Sequence, residues 1–253
     1  MKKLMKAVAA LMLMTVVVCI AGCTKPDGPN NGENGGNNNG GGNNGGGNGG
    51  SINGFEYVDL GLPSGTLWAT CNVGATTPEG YGDYFAWGDT QPKYYYDWIT
   101  YKYANGTSWE NPQLIKYCNN SSYGYNGFTD HLTTLLSEDD AATANWGADW
   151  RTPTHEEWRE LYDYCTSVRM TLNGVKGCLF AASNGNSLFL PAAGSRWHDG
   201  FEGGAGSTGY YWSSSLNTDY PTCAWYLHFS SDGASVRRGS RFFGFSVRPV
   251  LEN

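Results

Sequence analysis

From residue 225 to residue 230 apolar and polar side chains alternate without a break. Trp225, Leu227 and Phe229 take one set of positions, and Tyr226, His228 and Ser230 take the other. Successive side chains of a strand point to opposite faces, so the pattern predicts a strand with its apolar set in a core and a polar-aromatic row facing out. Short runs of similar character recur at 57–62, 66–70, 84–87, 187–190, 210–215, 234–238 and 244–250. Gly, Asn, Ser and Pro fill the stretches between them. The reading is of many short strands joined by long loops and held together by aromatic packing.

A helical period replaces alternation in two places. Thr154-His155-Glu156-Glu157 has the form of a capping box: Thr154 accepts from the free amides of the first turn and Glu157 reaches back. Pro153 just ahead forbids an earlier start. Trp158, Leu161, Tyr162, Cys165 and Val168 then follow at helical spacing and define one buried face. Residues 137–144 open with a Ser-x-x-Asp start and carry acids in the first turn, which predicts a second, short helix. The fold class is therefore α+β, with about two helices.

The N-terminus departs from both patterns. Lys2, Lys3 and Lys6 precede an apolar run over 7–20 that is short for a membrane span and suits the core of a signal peptide. Ile20-Ala21-Gly22-Cys23 resembles a bacterial lipobox, in which the cysteine is acylated and becomes the first mature residue. The expectation is export of the chain, removal of residues 1–22, and a palmitate-class lipid on Cys23. Thr24 supplies no inner-membrane retention signal, so the expected location is the outer membrane, facing the cell surface. Residues 23–53 are mostly Gly and Asn, with nothing to bury. Such a stretch is expected to be a disordered tether with a mean reach of about 30 Å. Residues 54–253 are read as one domain.

Charge and cysteine content narrow the chemistry. The chain holds 16 basic against 23 acidic side chains, and loss of residues 1–22 removes three lysines and no acid. That balance argues against nucleic acid as a partner. Cys71, Cys118, Cys165, Cys178 and Cys223 follow Cys23; an odd set cannot all pair, and spacing leaves a Cys165–Cys178 bridge and buried free thiols both open. No paired Cys/His spacing or calcium-loop spacing is present, and the four histidines are scattered. No metal and no cofactor is expected.

Six blocks in order, VDLGLPSGTLWATCNVGA, GDYFAWGD, NWGADWRTPTHEEW, LFLPAAGSR, YYWSSS and GFSVRPV, resemble the Fibrobacter succinogenes major paralogous domain family, common in surface lipoproteins of gut Bacteroidetes. The stretch around 151–158 and the GFSVRPV ending are also similar to the formylglycine-generating enzyme and sulfatase-modifying factor group. Both resemblances imply a C-type-lectin-like domain, with 58–62 and 245–250 paired side by side and long loops above them. The enzyme group needs reactive cysteines just before the final Gly-Phe strand. Here VRRGSRFF contains none, so the chain is expected to be non-enzymatic.

The expected function is that of a surface-displayed binding module for an extracellular protein or glycan. Its candidate contact residues are Trp197, Trp212, Tyr226, His228, Arg237, Arg238 and Arg241, a basic and aromatic set on the late strands and loops. A structural role in a fimbria or envelope assembly is the alternative from another class. A minor alternative follows from the resemblance: some lectin-fold lipoproteins with such an ending are diversified by retroelements, which vary outward residues and spare inward ones.

Overall fold

The structure, a computed structural model, describes residues 49–105, 112–198 and 201–251, the side chains of 201 and 202 excepted. The signal segment, Cys23 and residues 23–48 of the tether lie outside the described residues. No described helix is long and apolar enough to cross a membrane.

The chain folds as α+β, with strands predominating in several small antiparallel sheets. β1 (Gly49–Ile52) and β2 (Phe55–Asp59) form a hairpin across Asn53-Gly54, whose φ values are 53° and 80°. A two-residue hairpin turn needs positive φ at both central positions, and Asn-Gly meets that need at least cost. The first described strand therefore lies inside the stretch read as tether. Glycine composition hid this strand because its pairing rests on turn and backbone rather than on apolar alternation. β3 (Leu67–Ala69) extends the sheet, and β4 (Ala104–Asn105) with β5 (Gln113–Leu114) makes a small separate pair.

α1 (Ala141–Trp146) starts later than the expected 137–144, because Ser137–Asp139 form a single 3-10 turn and Asp140 is the cap. One Asp140 oxygen accepts from the amides of Ala142 at 2.8 Å and Thr143 at 3.3 Å. α2 (His155–Tyr164) carries the complete capping box between Thr154 and Glu157, and Arg151 grips the same Glu157 carboxylate at 2.7 Å. Trp158 and Leu161 are buried, but Tyr162 is exposed and the helix stops at Tyr164. Val168 belongs instead to β6 (Thr166–Leu172), which forms a meander with β7 (Val175–Ala181) and β8 (Ser187–Pro191).

β9 (Ser195–Trp197) and β10 (Phe201–Gly203) form a short hairpin. β11 (Gly209–Leu216), β12 (Cys223–Ser230) and β13 (Gly233–Ser240) make a three-stranded sheet in that order. β14 (Val250–Leu251) joins the first sheet through β3, giving the order β1-β2-β3-β14. The terminal segments thus share a sheet, but β3 lies between them, where side-by-side pairing of 58–62 with 245–250 was expected. Residues ahead of β14 run as irregular chain: Val73 donates to Val247 O at 3.0 Å and Trp212 to Ser246 O at 3.1 Å.

The sheet of β11, β12 and β13 separates two cores. On one side Tyr211, Leu227 and Phe229 pack with Trp158 and Leu161 of α2 and with Phe180, Leu188 and Leu190 of the meander. On the other, Trp212, Ala224 and Tyr226 pack with Phe85, Trp87, Phe242, Phe245 and Val247. β12 is therefore covered on both faces. Tyr226 and His228, expected to face out, are 9% and 7% exposed, while Trp225, expected in a core, is half-buried and stacks on His155 with ring centroids 4.4 Å apart.

Candidate functional site

The register Trp212↔Tyr226↔Arg237 and Tyr210↔His228↔Ser235 places four of the predicted contact residues on one face of the sheet. Most of that face is closed. The Phe245 ring lies 4.3 Å from that of Trp212, 4.9 Å from Tyr226 and 5.0 Å from Tyr210, so the C-terminal segment acts as its lid. Trp212 spends its indole N–H on Phe85 O at 2.8 Å. His228 lies against Tyr210 with its Nδ1 unpartnered, and burial together with the Arg237 charge holds its pKa below the ordinary histidine value. Trp212, Tyr226 and His228 are thus core residues and not contact residues. The alternation that motivated a diversified row falls with them, because its supposed free positions are packed.

Arg241 is a second correction. Its guanidinium is fully buried, donating to Tyr101 Oη at 2.8 Å and to the carbonyls of Tyr117 at 2.9 Å, Pro221 at 2.9 Å and Lys116 at 3.0 Å. It also lies over the rings of Trp87, Tyr101 and Tyr117. A buried cation is tolerated when its donors are satisfied, and here neutral oxygens and π faces do so. Arg248, at the other end of the segment, is also fully buried; it bonds Asn72 Oδ1 at 2.9 Å and Ala69 O at 3.0 Å but leaves Nη2 without a hydrogen-bond partner among the described residues, and burial holds it down at about 10.

The cluster around Asp139 is likewise occupied. Lys116 reaches Asp139 at 2.6 Å, Lys102 reaches it at 3.3 Å, and the Tyr117 hydroxyl donates to it. Burial alone would raise the Asp139 carboxyl; the donors from Lys116, Tyr103 and Tyr117 outweigh it and bring the value to about 2. Cys118, Cys165, Cys178 and Cys223 are free thiols, so no Cys165–Cys178 bridge forms. Burial raises all four, Cys165 and Cys178 to about 11, which keeps them protonated and unreactive at neutral pH. Among the described residues no three His, Cys, Asp or Glu side chains gather as metal ligands. A cavity of about 10 Å³ lined by Trp87, Asp89, Thr152 and Trp212 has the scale of a single water molecule.

What stays accessible is a set of aromatic and basic groups nearer the rim. Arg237 and Arg238 are exposed on opposite faces of β13; Arg238 lies 4.2 Å over the ring of Tyr220. Trp197 is half-buried on the β9–β10 hairpin and touches His198, with centroids 4.8 Å apart. His198 in turn meets Tyr95 at 6.2 Å, and the backbones of His198 and Tyr96 pair. Tyr96 is the anchor of this loop, buried with its hydroxyl donating to Tyr84 O at 2.6 Å. Its neighbour Tyr94 is 78% exposed, and Ile99, in the same loop, is 61% exposed. Lys93 Nζ to Thr100 O at 3.1 Å and Thr100 Oγ1 to Tyr95 O at 2.7 Å close the loop on itself. Trp197, His198 and Tyr95 therefore form a row of ring contacts, and the exposed Tyr94 and Ile99 belong to the same closed loop as Tyr95; these five residues are the candidate platform.

Sequence reasoning named Trp197 and missed the other four. The run Tyr94-Tyr95-Tyr96 held the signal: three consecutive rings cannot all point into one core, so one anchor leaves its neighbours outside. A backbone bridge between Arg196 and Gly244 joins the platform to Phe243, which stacks on Phe245 at the edge of the sheet face.

Residues 166–250 match the model of a family described as a domain of unknown function, DUF8237. The matched span runs from β6 into β14 and contains Trp197, Arg237 and Arg238, whereas Tyr94, Tyr95 and Ile99 precede it. No curated protein and no solved structure matches the chain.

Proposed function

We propose that the chain is a non-enzymatic, surface-displayed binding module, lipid-anchored at Cys23 to the outer membrane and carrying a C-type-lectin-like domain. Its ligand is an extracellular protein or glycan, met by the platform of Tyr94, Tyr95, Ile99, Trp197 and His198. The observation that carries this reading is the exposure of Tyr94 and Ile99 in a loop fixed by the buried Tyr96, whose Tyr95 ring meets His198 and through it half-buried Trp197. Exposed apolar rings on rigid backbone give contact area at little ordering cost, and their faces suit the C–H groups of a sugar ring or the side chains of a protein. The family resemblance and the lipobox-like start support display at the surface. The buried, protonated thiols support a role without nucleophilic catalysis.

The test is a glycan and protein array probed with the full chain, and with Tyr94→Ala/Ile99→Ala and Trp197→Ala variants checked for unchanged folding. The expected result is at least one hit weakened tenfold or more by each variant. Absence of any hit, or hits bound equally by all three proteins, refutes the reading.

A further inference from the structure

β13 is the outer strand of the sheet β11-β12-β13. None of its eight residues is buried, whereas Ala224, Tyr226, Leu227, His228 and Phe229 of β12 are. The hairpin register joins Ser230 to Gly233 and Tyr226 to Arg237, and the Arg241 amide donates to Thr222 O at 3.1 Å with the same parity. In an antiparallel ladder hydrogen-bonded and non-bonded pairs alternate. The bonded positions of β13 are therefore Gly233, Ser235, Arg237 and Gly239. The N–H and C=O groups of Ala234, Val236 and Arg238 point away from β12, and no described residue bonds them. They form a ready template for one more strand.

The side chains of this strand say which strand it accepts. Arg237 and Arg238 sit on opposite faces of the edge, neither in a described salt bridge, and residues 233–240 contain no acid. Pairing of β13 with a second copy of itself about a twofold axis would bring these arginines against their own counterparts, and like charges across a strand pair are destabilising. The rest of the chain is acidic, so this strand is where a negatively charged segment meets opposite charge. We infer that the outer edge of β13 binds an extended, acidic polypeptide segment of another protein by antiparallel or parallel strand addition. At about 3.4 Å per residue the template spans about 27 Å. This site is separate from the aromatic platform and does not depend on it.

Hydrogen exchange of segment 233–240 in the full chain, followed by mass spectrometry, tests the inference. The probes are a nine-residue peptide of alternating Val and Glu, its Val and Lys counterpart, and the Val and Glu peptide with alternate amides N-methylated. The expected result is exchange slowed at least tenfold by the unmodified acidic peptide alone. Val236→Pro removes an outward donor while leaving the β12 ladder intact, and abolishes the protection. Arg237→Glu with Arg238→Glu, both at exposed positions, transfers the preference to the Val and Lys peptide. Lack of protection by the acidic peptide, or equal protection by the acidic and basic peptides, overturns the inference. So does a concentration-dependent dimer that protects the same segment without peptide, since the edge then belongs to a second copy.

Discussion

Arg241→Ala is the perturbation that separates the two kinds of arginine in this fold. Truncation strips the donors from Tyr101 Oη and from the carbonyls of Lys116, Tyr117 and Pro221. Each buried acceptor left unpaired costs about 1–3 kcal/mol. Loss of the ring contacts with Trp87, Tyr101 and Tyr117 adds about 0.5–2 kcal/mol. Relief of the guanidinium's own desolvation and solvent entry to some acceptors offset part of this, leaving a net loss of about 3–5 kcal/mol. Against a total stability of about 5–15 kcal/mol that is a large fraction. In urea, with a slope of about 1–3 kcal/mol per molar, the unfolding midpoint falls by more than about 1 M at unchanged slope. Arg237→Ala, on the exposed edge, shifts stability by no more than about 0.5 kcal/mol. Equal effects of the two substitutions, or an Arg241→Met variant as stable as the wild type, would show that the guanidinium does not organise the loops around it.

Three further outcomes are expected. Asp139, lowered from 3.8 to about 2, contributes stability that is present above pH 4 and lost as pH falls toward 2. The shift corresponds to about 2 kcal/mol, so urea titrations from pH 7 to pH 2 show a decline that Asp139→Asn flattens. Cys165 and Cys178 remain unlabelled by a thiol reagent at pH 7 in the native protein and react once it is unfolded; native labelling at the rate of a free thiol contradicts their burial and raised pKa. Gly209→Ala places a Cβ 2.2 Å from the ring of Phe229, which is fully buried. The forced shift costs about 1–3 kcal/mol and is read as a lowered thermal midpoint.

Local signals in the sequence were legible where a single segment determines its own geometry. The Thr154–Glu157 box and Pro153 located the start of α2, and the alternation over 225–230 located β12. The hairpin of β6 and β7 was equally local, since Asn173-Gly174 stands between two apolar-rich runs with φ values of 48° and 85°. It was missed because helical spacing was carried on through Val168, past the cap at Cys165. Direction was harder. Tyr226 and His228 have polar tips and read as outward, yet Tyr226 packs under Phe245 and His228 lies against Tyr210, which Phe245 also covers, and Phe245 arrives nearly twenty residues later in the chain. Arg241 read as surface because arginine is seldom buried. Its acceptors are carbonyls of Lys116, Tyr117 and Pro221, which no side-chain pattern announces.

The hairpin of β1 and β2 also has a mechanical meaning. β1 is a border strand joined to β2 by four residue pairs, and the chain enters at its outer end, at Gly49 opposite Val58. Tension arriving from the N-terminal side loads those contacts one after another, beginning with two glycines that have no side chains to grip. Peeling meets resistance at Ile52, whose carbonyl is held by the Trp150 indole at 3.4 Å, and at Asn53, clasped by Asp149 at 2.9 Å. Residues 49–51 thus peel first, a short sacrificial leader that lengthens under load before Ile52, which packs on the first core, feels the pull.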